Sequence, residues 1–166
     1  MTEEKRTRVA IVGFASSSRD LAPLDDPTFE VWGLNHLYNF IGDKWTRWFE
    51  LHPIQHIQKD IVREGAINPG NVHFKWLSEQ KKPIYMQDVA PEVPASVRFP
   101  REQINAWFAE RGGSAEGFYA HDYYTSTIAE MLSLAIWEGF AEIHVYGVDM
   151  LQDQEYGYQR SGCEYL

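Results

Sequence analysis

Short apolar runs alternate with amphipathic stretches along the chain, which is the pattern of strands alternating with helices. Arg8–Val12 is β-branched and apolar on both faces and stops at Gly13, so it predicts a central strand of a parallel sheet. The spacing Thr127-Ile128-Ala129-Glu130 predicts a capped helix that ends at Gly139, and Glu142–Tyr146 predicts the next strand. This alternation predicts an α/β fold, with a mostly parallel sheet flanked by helices.

Further strands and helices are predicted between these two units. The strands are Phe29–Leu34, Arg47–Leu51 and Pro83–Met86; the helices run from Ile54 to Glu64, near Phe74 to Gln80, and from about Arg101 to Arg111. The connecting segments include a turn at Asn68-Pro69-Gly70-Asn71, a proline-rich loop over 91–100 and a loop over 112–122. With no internal repeat or linker in the sequence, the pattern predicts a single Rossmann-like domain over residues 1–166.

Composition and charge narrow the classes of partner. The formal net charge of −9 disfavours binding to the phosphate backbone of DNA or RNA, so no nucleic acid polymer is expected. A small phosphorylated ligand remains compatible, because backbone amides at a helix start hold phosphate without a basic patch. Aromatic residues make up 14% of the chain, which indicates either a ligand or partner surface or a Trp-rich core.

Location and assembly follow from a few negative features of the sequence. Cys163 is the single cysteine, so an intrachain disulfide is excluded and a reducing cytoplasm is favoured. The sequence contains no apolar run of membrane-spanning length and no signal peptide, so we expect a soluble, cytoplasmic protein without a membrane span. A final predicted helix that stops at Leu166 indicates a shortened chain or an end completed by a partner subunit, as in a homodimer.

Residues suited to ligand binding follow four predicted strands. They are Gly13 with Ser16 and Ser17, then Asn35, then His52, and finally Asp149 after Gly147. In open parallel sheets, ligands bind just beyond the carboxyl ends of the strands. Each residue alone has a structural interpretation, Asn35 as a helix cap, His52 as a loop residue and Asp149 as a turn residue. Together they predict a ligand site.

Two segments are candidates for holding a phosphate. The Gly13–Ser18 loop is rich in small residues but lacks both G-x-G-x-x-G and a P-loop lysine, which disfavours dinucleotide oxidoreductases and P-loop kinases. Thr125, Ser126 and Thr127 open the capped helix, where unpaired amides and three hydroxyls suit an anion. The alternative is that Thr127 only caps the helix. This helix start is the stronger candidate of the two.

Motifs for metal or covalent catalysis are weak. The sequence has no G-x-S-x-G. His52 and His56 have the spacing of two ligands on one helix face, but Pro53 between them disfavours metal ligation. An acidic cluster near the end of the chain consists of Asp149, Asp153 and Glu155. These carboxylates either hold Mg²⁺ together with a bound phosphate or belong to a solvated loop.

Three segments, taken in order, resemble bacterial sialyltransferases that use a CMP-activated sugar. They are Val9–Gly13 with its loop, Asn35 with Phe49–Pro53, and Tyr124-Thr125-Ser126 leading to Gly147-Val148-Asp149. In that family a Thr-Ser-Gly helix start leads to an apolar strand that ends in Gly-x-Asp. The resemblance implies a Rossmann-like fold, a nucleotide at these strand ends, and contacts from Tyr156 and Tyr158 to the departing phosphate.

The Gly-x-Asp arrangement is also similar to that of archaeal-type hydroxymethylpterin pyrophosphokinases and of uncharacterised phage proteins, the latter also over Gln159–Leu166. The chain departs from the sialyltransferases at Thr127, where the family has glycine, and at His52, where asparagine is usual. Their later catalytic histidine is matched by no residue of this sequence, so the resemblance implies nucleotide binding more directly than glycosyl transfer.

Three functions remain open, in this order. The first is binding of a nucleotide or nucleotide-derived small molecule, as in a phage-encoded protein that sequesters it. The second is a glycosyl or pyrophosphoryl transferase on the same scaffold, with Mg²⁺ as a possible requirement; its catalytic candidates are His52, His121, Asp149 and Tyr156. The third is a protein-interaction module whose exposed aromatic side chains bind another protein.

Overall fold

The computed structural model describes residues 7–58, 70–111, 126–149 and 163, and its centre is a sheet of six strands. The strands are β1 (Arg8–Val12), β2 (Phe29–Leu34), β3 (Arg47–Glu50), β4 (Ile84–Met86), β5 (Ser96–Arg98) and β6 (Glu142–Tyr146). Their order in the sheet is β5-β4-β3-β2-β1-β6, and every neighbouring pair is parallel. The predicted Rossmann-like α/β fold is confirmed.

Helices connect the strands. They are α1 (Tyr38–Ile41), α2 (Ile54–Gln58), α3 (Gly70–Glu79), α4 (Arg101–Glu110) and α5 (Thr127–Glu138), with a 3-10 turn at Arg19–Leu21. Because α5 leads into β6 and α3 leads towards β4, the amino ends of both helices lie at the edge where the parallel strands end. None of the helices among the described residues is long and apolar enough to cross a membrane.

β1 lies between β2 and β6, so the chain builds the sheet outward from β1 in both directions. The order of the strands therefore reverses between β1 and β6, which makes this pair the switch point of the sheet. This switch point between β1 and β6 is the place where open parallel sheets bind their ligands.

Tryptophan side chains fill much of the core. Trp32 and Trp48 have no exposed surface, and Trp45 is 4% exposed. Gly33 permits this packing, because a Cβ atom there would overlap the Trp48 ring on the adjacent strand. The burial of these rings supports the Trp-rich-core interpretation of the high aromatic content.

The amino end of α5 differs from its prediction by one residue. Ser126, not Thr127, is the cap: its backbone is extended and its side chain accepts a hydrogen bond from the Ala129 amide at 3.2 Å. Glu130 therefore lies one position too late for a capping box, and its side chain is buried instead of returning to the cap. The predicted end of the helix is confirmed, since Gly139 adopts the left-handed conformation with φ of 77°.

Two other segments also differ from their predictions. The loop predicted over 91–100 contains β5, a three-residue strand that pairs with β4 at the edge of the sheet formed by the described residues. The helix predicted near Phe74 begins already at Gly70, so the second half of the predicted turn at 68–71 is helical. Both errors follow from reading proline and glycine as loop residues, although prolines flank edge strands and glycine is tolerated at a helix start.

Candidate ligand site at the carboxyl ends of the strands

The loops that follow β1 and β6 cross in direct backbone contact. The Gly13 amide donates to the Tyr146 carbonyl at 2.7 Å, and the Ala15 amide donates to the Gly147 carbonyl at 2.8 Å. A Cβ atom on Gly13 would lie 2.5 Å from the Gly147 carbonyl oxygen, and one on Gly147 would lie 2.6 Å from that of Gly13. Gly147 also has a φ of 67°, which favours glycine. Both positions therefore require glycine.

Side chains from the first loop hold the second loop in place. Ser18 Oγ accepts a hydrogen bond from the Gly147 amide at 2.8 Å. Ser17 Oγ donates to Asp149 Oδ1 at 2.5 Å, and both side chains lie on the surface with Ser16. The structure therefore brings the predicted residues of the first loop together with Asp149, at the switch point of the sheet.

Asn35 closes β2 with an unusual backbone. Its φ is 49°, a left-handed conformation that asparagine tolerates better than most residues. Its amide donates to the Phe49 carbonyl, and its carbonyl accepts from Trp48 Nε1, each at 3.1 Å. Its side-chain Oδ1 is buried without a hydrogen-bond partner among the described residues. Asn35 is not the cap of α1, whose cap residue is Leu37.

Glu50, at the end of β3, is the principal residue that the sequence analysis missed. It is 1% exposed, and its two carboxylate oxygens contact two imidazoles. Oε1 lies 2.6 Å from His52 Nδ1, and Oε2 lies 2.6 Å from His73 Nε2. Burial by itself would raise the pKa of Glu50, but the hydrogen bonds from His52 and His73 outweigh burial and lower the pKa to about 2. Because an ionised carboxylate only accepts, both contacting nitrogens carry a proton.

His52 lies between this buried carboxylate and the surface. Its side chain is 57% exposed, and its ring orientation is set by the hydrogen bond from Nδ1 to Glu50. That hydrogen bond raises the pKa of His52 above its ordinary value, although partial burial acts in the opposite direction. Its Nε2 lies on the side of the ring away from Glu50. His52 is thus an oriented imidazole that titrates at the strand ends.

A second buried carboxylate lies on the first turn of α5. Glu130 is 4% exposed and forms an ion pair with Arg101, the first residue of α4. Burial raises the pKa of Glu130 to about 7, although the Arg101 charge opposes the increase. The charge of Glu130 also acts on His52 and contributes to its raised pKa. Two carboxylates whose pKa values are pushed apart in this way are typical of acid-base sites.

Aromatic rings cover the same cluster from the side of α1 and α3. The His36 and His73 rings have centroids 4.0 Å apart, and Tyr38 stacks on Trp76 at 4.1 Å. Tyr38 Oη and His73 Nδ1 are buried without a hydrogen-bond partner among the described residues. Burial lowers the pKa of His36, and the neighbouring His73 lowers it further. These rings exclude water from the side of Glu50 away from His52.

The predicted anion site at the start of α5 is described only in part. Ser126 Oγ caps the helix and lies 3.9 Å from Cys163 Sγ, and Thr127 is half-buried in the first turn. The hydroxyl of Ser126 is therefore occupied in the helix itself. The remaining predicted residues lie outside the described residues; they are Thr125, His121, Tyr156 and Tyr158, with Asp153 and Glu155 of the acidic cluster.

The described part of the chain contains no preformed set of metal ligands. No group of three or more His, Cys, Asp or Glu side chains there is arranged to hold a metal ion. The histidines of the β3 cluster instead direct a ring nitrogen at Glu50. The side chains of this cluster are therefore held together by hydrogen bonds to Glu50.

Comparison with known proteins supports the Rossmann-like fold described above. No protein-family model and no curated protein sequence matches the chain. Among solved structures, the chain is similar to the sialyltransferase CstII from Campylobacter jejuni, solved in complex with a substrate analogue, cytidine 5′-monophosphate. The TM-score is 0.53 at 17% identity, over 96% of this chain and 74% of that one. The predicted resemblances to pterin pyrophosphokinases and phage proteins stay predictions, whereas the sialyltransferase resemblance is confirmed for the fold alone: the chain has a Rossmann-like fold.

Proposed function

We propose that the protein binds a nucleotide, or a small molecule derived from one, at the carboxyl ends of β1, β2 and β6. The crossing of Gly13 and Gly147 is the observation that carries the proposal. The two loops meet there without side chains, at the switch point of the sheet, where open parallel sheets bind their ligands. A solved protein with a similar fold holds cytidine 5′-monophosphate, which agrees with a ligand of this class.

The polar groups around the crossing suit such a ligand. The Ser16 hydroxyl can donate to a phosphate, while Ser17, which donates to Asp149, holds that carboxylate where it can accept from ribose hydroxyls. Ligand binding that opens access to the buried Oδ1 of Asn35 would let it accept from an amino or hydroxyl group, which would satisfy an oxygen that has no partner among the described residues. None of these contacts requires a basic patch, which agrees with the net charge of −9.

A protein-interaction module is the weaker alternative. It is favoured by three exposed apolar side chains near the first loop, Phe14 at 41%, Phe40 at 55% and Leu21 at 73%. Arg19 covers part of this surface by lying 4.1 Å from the centroid of the Phe40 ring. An interaction function does not account for the Asn35 oxygen, which is buried without a partner among the described residues.

Calorimetric titration with CMP, UMP, AMP and GMP tests nucleotide binding. We expect at least one nucleotide to bind, and Asn35→Ala to weaken that affinity about tenfold, as for the loss of one hydrogen bond to a buried group. Asn105→Ala is the matched control, because Asn105 on α4 also has a side-chain oxygen that is buried with no partner in the part of the chain that the structure describes. Absence of binding to all four nucleotides would contradict the proposal, as would equal losses in the two variants.

A further inference from the structure

His52, Glu50 and His73 form a line of three side chains, from the surface to the core. Glu50 accepts from His52 through one oxygen and from His73 through the other, each at 2.6 Å, so its carboxylate is held at both ends. The exposed fraction falls from 57% for the side chain of His52 to 2% for Glu50 and 3% for His73. A buried carboxylate that orients a more exposed imidazole through Nδ1 leaves Nε2 to exchange protons.

The position of this line within the sheet indicates what it faces. β3 lies two strands from β1, which is about 10 Å at the usual spacing between strands. A nucleotide at the β1–β6 crossing would thus reach His52 with a group attached to its phosphate. Towards β4, His52 lines a groove of about 190 Å³ that is also lined by Gln87 and Asp88 from the segment after β4. His52 therefore lies between the proposed nucleotide site and a polar groove with room for a second molecule.

From this geometry we infer that His52 is a catalytic base for transfer of a group from a nucleoside phosphate to a hydroxyl, and that Glu50 and His73 are its positioning residues. The inference rests on the proposed nucleotide site and adds turnover to it. Such turnover would distinguish the protein from one that only sequesters its ligand.

The step balances without a further reactant. The hydroxyl proton passes to Nε2 of His52, and the hydroxyl oxygen forms a bond to the carbon that carries the phosphate. The bond between that carbon and the phosphate oxygen breaks, and its electron pair stays on the nucleotide. His52 then returns its proton to water. Because a phosphate leaves readily as an anion, one base is sufficient and no general acid is required.

Charged groups face His52 from several elements. Glu50 on β3 and Glu130 on α5 raise its pKa, and His36, in the segment after β2, is close enough to interact with it electrostatically. His73 on α3 contacts the far side of Glu50, and Arg101 on α4 neutralises part of the Glu130 charge. A base is active when it is neutral, so kcat is expected to rise with pH through the pKa of His52. Replacing Glu50 by Gln removes the main cause of the raised pKa and moves that rise to lower pH.

Release of free nucleotide from CMP-linked and UDP-linked sugars, with water as the acceptor hydroxyl, tests the inference in the full chain. We expect His52→Ala to reduce kcat about 100-fold or more while the affinity for CMP changes less than about threefold. Added imidazole should restore part of the His52→Ala rate, which a purely structural role for His52 would not allow. Glu50→Gln should lower kcat about tenfold or more and shift the pH profile downward.

Glu142→Gln is the matched control. Glu142 pairs with His144 Nε2 at 3.1 Å on β6, where both side chains are exposed, so this variant should leave kcat and the pH profile unchanged. If Glu50→Gln does not fold, Glu50→Asp replaces it, and its pH profile should stay closer to that of the wild type. Nucleotide binding without release from any of these sugars would overturn the inference and leave the proposed function intact. Release at the wild-type rate by His52→Ala would also overturn it, whereas absence of nucleotide binding would contradict the proposed function itself.

Discussion

At the scale of single residues, two buried glutamates with the same chemistry titrate in opposite directions. Burial disfavours the charge of both. Glu50 receives hydrogen bonds from two imidazoles and its pKa falls to about 2, whereas Glu130 has the partly exposed Arg101 as its ion-pair partner and its pKa rises to about 7. The number and burial of the donors, not the depth of the carboxylate, decides which form is stable.

These shifts predict how the free energy of unfolding depends on pH. The folded pKa of Glu130 exceeds its unfolded value of about 4.3, so its contribution is full below that value and is lost as pH rises through about 7. The folded pKa of Glu50 is depressed, so its contribution is present above about 4.3 and is lost as pH falls towards 2. Stability should therefore be highest near pH 5 and fall by about 3 kcal/mol or less towards pH 8.

Urea denaturation between pH 4 and pH 8 measures this profile. Glu130→Gln should flatten the loss above pH 5, because the amide does not ionise. Glu79→Gln, which removes an exposed carboxylate from α3, is the control and should leave the slope unchanged. An equal slope in wild type and Glu130→Gln would show that Glu130 does not titrate in this range.

At the scale of elements, one hydroxyl decides where α5 begins. Ser126 and Thr127 are adjacent and chemically alike, but Ser126 has φ of −150° and ψ of 151°, the extended conformation of a cap. From there its oxygen reaches the Ala129 amide, while Thr127 already has a place in the first helical turn. The helix start in turn places Glu130 beside Arg101 and close to His52.

The two hydroxyls should therefore have unequal effects on stability. We expect Ser126→Ala to reduce the free energy of unfolding by about 1 kcal/mol, because one amide of the first turn loses its acceptor. Thr127→Ala should change it by less than about 0.5 kcal/mol, since Ala suits a helical position well. Chemical denaturation of both variants checks the difference, and an equal or reversed order would place the cap at Thr127.

At the scale of the whole molecule, the ligand site depends on a contact between the two ends of the described chain. β1 and β6 are distant in sequence but pair over five residues, Arg8 with Glu142 through Val12 with Tyr146. This pairing brings the Gly13 and Gly147 loops together and places the crossing at the switch point. The affinity for a nucleotide should therefore depend on the distance between the Gly13 and Gly147 loops.

Gly147→Ala tests that dependence. Its added Cβ would lie 2.6 Å from the Gly13 carbonyl oxygen, so the two loops must separate, and nucleotide affinity should fall about tenfold or more. Gly139→Ala is matched, because Gly139 also has a positive φ of 77° but has open space around its Cβ position. It should lose a similar amount of stability from backbone strain while its affinity stays that of the wild type. If both variants bind equally well, the crossing is not part of the site.

The repeating pattern of the sequence by itself determined the α/β class, the bounds of β1 and β2, and the residues that follow the strands, because strand and helix periodicity are local properties. Side-chain contacts between residues that are distant in sequence were decided by the tertiary structure alone. Glu50 and His73 are 23 residues apart, and Arg101 and Glu130 are 29 apart. A glutamate in an apolar strand has no local signal for a partner on a distant helix, so folding alone brings these charges together beside His52.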